Sequence, residues 1–393
     1  MTSWPSHPIA DLGTVYTGST PSTADDSLWG GNIPFVTPGE LDHFDPITKA
    51  ERTISAAGES VARMLPQGAV LVCCIGSLGK VGIAGQPLAT NQQINSIVFN
   101  EDLVWPRYGF HACRLLKKKL VGMAPATTVA IVSKSKFEQL SLPLPPLLEQ
   151  RRIAAILDQV EVLRAKRRTA LAKLDTLAQS IFIETFGDPV ANSMGWPDTT
   201  PLGDVADIVS GITIGRNLDG LATREVPYLA VVNVQDREIR LDVLKSTEAT
   251  EVEIARFRLQ KNDLLLTEGG DPDKLGRGSL WHGEVVECIH QNHVFRVRLT
   301  SRVVHPLFLN WLVGSRRGKT YFLKSAKQTT GIASINMTQL RGFPLLLPPM
   351  ALQEVFAKRM DLVDHMKTEH RRSLAHFDAL FASLQYRAFR GEL

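Results

Sequence analysis

Two stretches of about 40 residues, beginning near Leu147 and Met350, contain no proline and space their apolar side chains at alternating steps of three and four. In the first, Ile153, Ile156, Val160, Leu163, Arg167, Ala170, Leu174, Leu177 and Ile181 form a heptad seam. In the second, Phe356, Arg359, Val363, Met366, His370, Ser373, Phe377, Leu380 and Leu384 repeat it. Two long amphipathic helices are predicted, spacer helix 1 over 147–187 and spacer helix 2 over 349–393. Arg167 and His370 stand at matching places in mid-seam, as a polar layer that fixes register would. Proline-rich stops, Leu142-Pro-Leu-Pro-Pro and Phe343-Pro-Leu-Leu-Leu-Pro-Pro, precede each helix, and Gly187 with Asp188-Pro189 ends the first.

The remaining segments, 1–146 and 188–348, carry a different pattern. Short β-branched or aromatic runs such as Asn95-Ser-Ile-Val-Phe, Val226-Pro-Tyr-Leu-Ala-Val-Val and His293-Val-Phe-Arg-Val-Arg-Leu are punctuated by Gly, Pro, Asn and Asp. These segments read as two β-rich globular domains.

The two halves are copies. Pro8, Ile9, Asp11, Leu12, Val15, Gly18 and Thr20 align with Pro201, Leu202, Asp204, Val205, Ile208, Gly211 and Thr213, and Ile33-Pro-Phe-Val aligns with Val226-Pro-Tyr-Leu at the same offset. Further on, Lys80 falls against Arg277, Gln92 against Gln291, and Pro145-Pro146 against Pro348-Pro349, with an offset that only grows, as short loop insertions require. A period near 200 residues is too long for a solenoid and marks duplication of a whole domain-plus-helix unit. The expected fold is therefore α+β: two β-rich domains joined by two long antiparallel coiled-coil helices in a pseudo-two-fold internal repeat. A helix of this length spans roughly 50–60 Å. Two readers held by such a rod suit a split DNA target, whose half-sites lie about 34 Å apart per helical turn.

Composition narrows the partners and the compartment. Of 393 residues, 44% are hydrophobic and 21% charged, with a net charge of +4, which excludes a disordered polyanion and a histone-like polycation. The four cysteines, Cys73, Cys74, Cys113 and Cys288, contain no Cys-x-x-Cys pair, so neither a disulfide framework nor a zinc ribbon is expected, and a reducing cytoplasm fits best. The opening residues lack a signal-peptide pattern, and no window approaches a membrane span, so no membrane association is expected.

Several phrases carry a family likeness. Thr17-Gly-Ser-Thr-Pro-Ser, Asn32-Ile-Pro-Phe-Val, Leu65-Pro-Gln-Gly-Ala-Val-Leu, Asn91-Gln-Gln and, above all, Leu142-Pro-Leu-Pro-Pro-Leu-Leu-Glu-Gln-Arg-Arg-Ile-Ala-Ala-Ile-Leu-Asp closely resemble the specificity (S) subunit of type I restriction-modification systems, the HsdS family. The last phrase recurs in weaker form as Leu347-Pro-Pro-Met-Ala-Leu-Gln-Glu-Val-Phe, with Glu-Gln turned to Gln-Glu one step later. The resemblance implies that 1–146 and 188–348 are target-recognition domains. Each would read half of a bipartite site in double-stranded DNA, while the helices set the spacing and dock two methyltransferase (M) subunits. It further implies that S-adenosylmethionine, ATP and Mg belong to methyltransferase and restriction (R) partner subunits, that this chain binds no cofactor, and that it performs no catalysis.

Enzymatic alternatives require groups that can be sought. No Asn-Pro-Pro or Asp-Pro-Pro turn of an amino-methyltransferase occurs, and Pro272-Asp273 has no accompanying Glu-x-Lys or Asp-x-Lys for a nuclease. Gly314-Ser-Arg-Arg-Gly318-Lys319-Thr320 is one residue short of a P-loop, and reads as a basic turn at the C-terminal end of a helix opening at Pro306, with phosphate contact as its secondary reading. Cys288, His290 and His293 offer three ligand types but no fourth partner, and read as strand and loop positions rather than a metal site.

What remains suits base and phosphate contact: amides for adenine, cations for guanine, hydroxyls for phosphates. Four places repeat such groups in both halves. They are Thr20 and Ser22 against Arg216; Lys80 against Arg277; Gln92 and Gln93 against Gln291 and Asn292; and Thr127 and Thr128 against Thr329 and Thr330, beside Lys324 and Lys327. Each also has a plain structural use, as a solvated turn or a partner for buried backbone. The alternative function is a duplicated, non-catalytic scaffold that binds protein rather than DNA. Affinity that ignores salt would distinguish it, because phosphate contacts make binding salt-dependent.

Overall fold

The computed structural model describes residues 4–124, 129–270, 275–329 and 332–393. It comprises two compact units, Met1–Ala170 with His370–Leu393, and Leu171–Glu369.

In the first unit, the strands Gly13–Thr17, Ile94–Phe99, Val70–Cys73 and Val81–Ile83 lie side by side in that order, all antiparallel. Val70–Cys73 is buried along its whole length, which is why it reads as an unbroken apolar run. A second sheet orders Arg52–Ile54, Trp29–Val36, Leu88–Thr90 and Met64–Leu65, with a parallel pairing of Phe35 with Ala89 and Val36 with Thr90. The helix Pro106–Arg114 adds Tyr108, Phe110 and Cys113 to a core that includes Val15, Val70, Val81 and Phe99.

The second unit repeats this plan. Ala206–Ser210, Val294–Leu299, Leu264–Thr267 and Gly278–Leu280 form the antiparallel sheet in the same order, and Leu229 pairs parallel with His290 as Val36 does with Thr90. The α+β class and the internal repeat expected from the sequence are those of the structure. One register differs. Asn91 and Gln291 both donate their backbone N–H to the equivalent carbonyls of Val36 and Leu229, so Gln92 corresponds to Asn292 rather than to Gln291.

The long helices run Leu147–Phe186 and Met350–Ala388. Gly187, at φ +77°, ends the first in the left-handed conformation that glycine tolerates. Within the first unit the helices are antiparallel, since Arg164 meets Asp378 at 2.6 Å and Arg167 meets His370 at 3.3 Å. Within the second, Asp175 meets Lys367 at 2.8 Å and Glu184 meets Arg359 at 3.0 Å. Arg164 with Asp378 and Lys367 with Asp175 are one ion pair written twice by the duplication.

The seam is partly corrected. Ile153, Val160, Ile181, Phe356 and Val363 are buried, and Leu174, Phe377 and Leu384 are half-buried, but Leu163, Leu177, Met366 and Leu380 are exposed by 39 to 44%. Ile156 is likewise only half-buried. Burial falls one residue later in each heptad, on Leu157, Ala178, Met360 and Phe381. A 3.5-residue repeat admits two seams that share every seventh residue. The globular cores choose between them, because Leu157 and Phe381 pack with Phe110 and Tyr108.

Candidate nucleic-acid interface

Each unit gathers polar loops at one end of its four-stranded sheet. In the first, Gly18 donates its N–H to Ile94 O, and a Cβ placed on Gly18 would lie 2.2 Å from Asn91 O. Only glycine lets the 18–22 loop rest on the 91–93 loop. The same contact recurs at Gly211, where a Cβ would lie 1.9 Å from His290 O. Joined to this end are the 74–80 turn, through Cys74 N–H to Gln93 O, and the 130–132 segment, through Val132 N–H to Cys74 O. In the second unit, Thr267 N–H donates to Arg277 O, Glu268 N–H to His293 O, and Ile335 N–H to Glu268 O.

The sequence candidates occupy this end with differing freedom. Thr20 Oγ donates to Gln92 Oε1 at 2.7 Å on the exposed surface, and Gln93 Oε1 accepts from Asn91 Nδ2 at 2.9 Å. Ser22 is exposed, and its carbonyl accepts from Trp29 Nε1. Lys80 is half-buried and donates to Pro38 O. Arg277 is also half-buried, donating to Gln235 Oε1 at 2.9 Å. Gln291 and Asn292 are half-exposed, and among the described residues their side-chain amides have no hydrogen-bond partner.

Arg216 is bound on all sides: Glu253 takes it at 2.8 and 2.9 Å, and the carbonyls of Thr213 and Glu248 accept from it. That pairing holds the Glu253 carboxyl down at about 2. Its geometry is that of a brace between loops. Lys324 is exposed in the last turn of the helix Arg316–Ser325, and Lys327 and Thr329 lie on the strand Lys327–Thr329. Thr127, Thr128 and Thr330 lie outside the described residues, as do Pro272 and Asp273.

The weighed metal ligands have separate surroundings. Cys288 is buried, and burial pushes its thiol up to about 12. His290 is buried with Nδ1 on Val294 O, while His293 is exposed and meets Glu268 at 2.6 Å. The basic turn after Pro306 requires a correction. The first helix ends at Val313, and Arg316, Arg317 and Lys319 open a second helix, where the dipole disfavours cations. Arg317 is compensated there by Asp198 and by the carbonyls of Pro189 and Pro344.

Two repeated anchors escape the sequence pattern. Gln150 accepts from Trp105 N–H and donates to Leu103 O and Pro145 O, and Gln353 bonds in the same way with His305, Val303 and Pro348. The glutamine thus keeps its place in both proline-led phrases, and of the Glu149-Gln150 pair it is the glutamate that is replaced, by Leu352. Trp4 donates its indole N–H to Ala388 O at the end of one long helix, as Trp196 does to Phe186 O at the end of the other. The dipeptides Trp4-Pro5 and Trp196-Pro197 were the available signal.

Residues 1–173 and 195–374 match the family described as "Type I restriction modification DNA specificity domain". The chain is 27% identical over 248 residues to the MjaIX type I restriction enzyme specificity subunit of Methanocaldococcus jannaschii, covering 58% of this chain and 57% of that one. It is 22% identical over 313 residues to the StySPI specificity subunit of Salmonella potsdam, covering 75% and 66%. The chain therefore spans less than two thirds of the length of each of these relatives. The crystal structure of a type I restriction-modification S subunit from M. genitalium has a TM-score of 0.58 at 14% identity, over 99% of this chain and 96% of that one, a likeness of fold.

Proposed function

The chain belongs to the type I restriction-modification DNA specificity family, and from that membership we propose that 1–146 and 188–348 are two target-recognition domains, each reading one half of a bipartite site in double-stranded DNA. The observation that supports this most is the repeated gathering of amides, hydroxyls and cations at one strand end of each unit, on loops seated by Gly18 and Gly211. Amides bonded on one side only, such as Gln92, or not at all, such as Gln291 and Asn292, keep groups for base edges. Thr20, Ser22, Lys80, Gln93, Arg277 and Lys324 stand around them, and Arg216 acts by holding its loop.

In this reading the long helices set the separation of the two half-sites and receive two methyltransferase subunits on their outer faces. S-adenosylmethionine, ATP and Mg act on those subunits and on restriction subunits, and this chain supplies sequence choice without catalysis. A cytoplasmic setting agrees with four buried free thiols and with the absence, among the described residues, of any helix long and apolar enough to cross a membrane.

The test is methyl transfer to a duplex library from labelled S-adenosylmethionine. The methyltransferase subunit together with this chain is expected to modify a bipartite sequence, and this chain alone to transfer nothing. Robust methylation by the isolated chain would overturn the proposal.

A further inference from the structure

We infer that a cavity in the second unit, lined by Arg237, Arg316 and Lys319, seats a phosphate of the DNA backbone. This rests on the DNA-reading function proposed above. The cavity measures about 370 Å³ and also meets Trp311, Ser315, Asp188 and Asp236.

Its cations come from two separate segments. Arg237 sits in a turn at φ +55°, unusual for a residue with a side chain, and its guanidinium lies 3.9 Å from the centre of the Trp311 ring. The nearest carboxylate, Asp236, stands at 3.8 Å, beyond hydrogen-bond length. Arg316 and Lys319 lie one turn apart on the same face of the next helix, are exposed, and have no ion-pair partner among the described residues. Asp188 is already engaged, accepting from the backbone N–H of Val190 and Ala191. The cavity therefore holds three cations against one loosely paired and one engaged carboxylate, an arrangement that a phosphate oxygen completes.

The first unit lacks this arrangement, which argues against a by-product of the fold. Arg114 stands where the second unit has Gly314, and Asp42 where it has Arg237, also at positive φ. Arg114 is directed inward, over Phe110 and Phe381 and beside Glu161. In the second unit, a Cβ on Gly314 would meet Arg237 Nη2 at 3.3 Å, so the missing side chain is what leaves room.

Position points to DNA rather than to another anion. The cavity is bordered on one side by Gln179, Phe182 and Ile183 near the end of the long helix and on the other by the strand end that carries the recognition candidates, where Arg237 N–H donates to Gly278 O at 2.8 Å and the neighbouring Arg277 donates to Gln235. A contact there would hold the register of the domain on the duplex without reading sequence.

The experiment uses the full chain assembled with its methyltransferase subunits and measures affinity against salt for a duplex carrying the target and for a scrambled duplex. The double variant Arg316→Gln with Lys319→Gln changes exposed side chains only, so the fold is retained. It is expected to reduce the slope of log K on log salt by about 1 to 2 and to weaken both duplexes by the same factor. Lys261→Gln, a cation removed at the opposite end of the sheet, is expected to leave the slope unchanged. An unaltered slope in the double variant overturns the inference, as does failure of that variant to assemble, which would assign the cavity to a partner carboxylate. If the unmodified complex has no affinity for either duplex, the DNA-reading function itself falls, a result distinct from the first.

Discussion

Gln150 and Gln353 each tie three backbone groups from a domain loop and a proline stop to the first turn of a long helix, and both are fully buried. Gln150→Leu leaves a buried N–H and two carbonyls unpaired, and is expected to cost about 2–4 kcal/mol in urea unfolding. Gln353→Leu should do the same, whereas Leu148→Gln, at an 82% exposed position, should cost less than about 0.5 kcal/mol. His290 makes a pH prediction. Burial, reinforced by Arg296 and Arg298, holds its pKa down at about 4, so it stays neutral in the fold while the unfolded chain takes up a proton near 6.5. Stability should therefore be full above about pH 6.5 and fall by roughly 2–3 kcal/mol as the pH drops to about 4. His290→Gln should flatten that slope in thermal unfolding measured at stepped pH. Neither residue announces itself in the chain. A buried glutamine inside Leu-Glu-Gln-Arg-Arg resembles a solvated one, and a histidine two residues after Cys288 resembles a ligand, until the partners of each are known.

At the scale of elements, the heptads were legible and their phase was not. Leu163 is more apolar than Arg164, and Leu177 larger than Ala178, so composition favours the seam that the fold leaves exposed. Arg164 and Lys367 occupy seam positions because Asp378 and Asp175 meet them across the helix pair. Leu157→Ala is accordingly expected to destabilise by about 3 kcal/mol and Leu163→Ala by less than about 1, read as shifts of denaturation midpoint. Equal losses would contradict the corrected seam. The cationic turn at 314–320 was misplaced for a related reason. Gly314 and Ser315 look like an exit from one helix, and Ser315 also begins the next.

For the whole molecule, the duplication was the most legible feature, since turns that fix strand ends, such as Gly79-Lys80 and Gly276-Arg277, keep a glycine at positive φ followed by a cation in both copies. The loops that distinguish the copies were less legible. Thr20 is bonded to Gln92 in one unit, while Arg216 is bonded to Glu253 in the other, and no spacing rule foretells that difference. Divergence at these loops on a common scaffold leads to a modular expectation: replacing residues 1–146 by the corresponding domain of another specificity subunit should change one half of the modified sequence and leave the other half intact.

The most direct measurement is to map methylated bases across the genome of cells carrying this chain and its methyltransferase partner. One bipartite motif is expected, two short defined halves separated by a gap of fixed length and free sequence. A continuous motif, or methylation that persists unchanged when this chain is deleted, would contradict it.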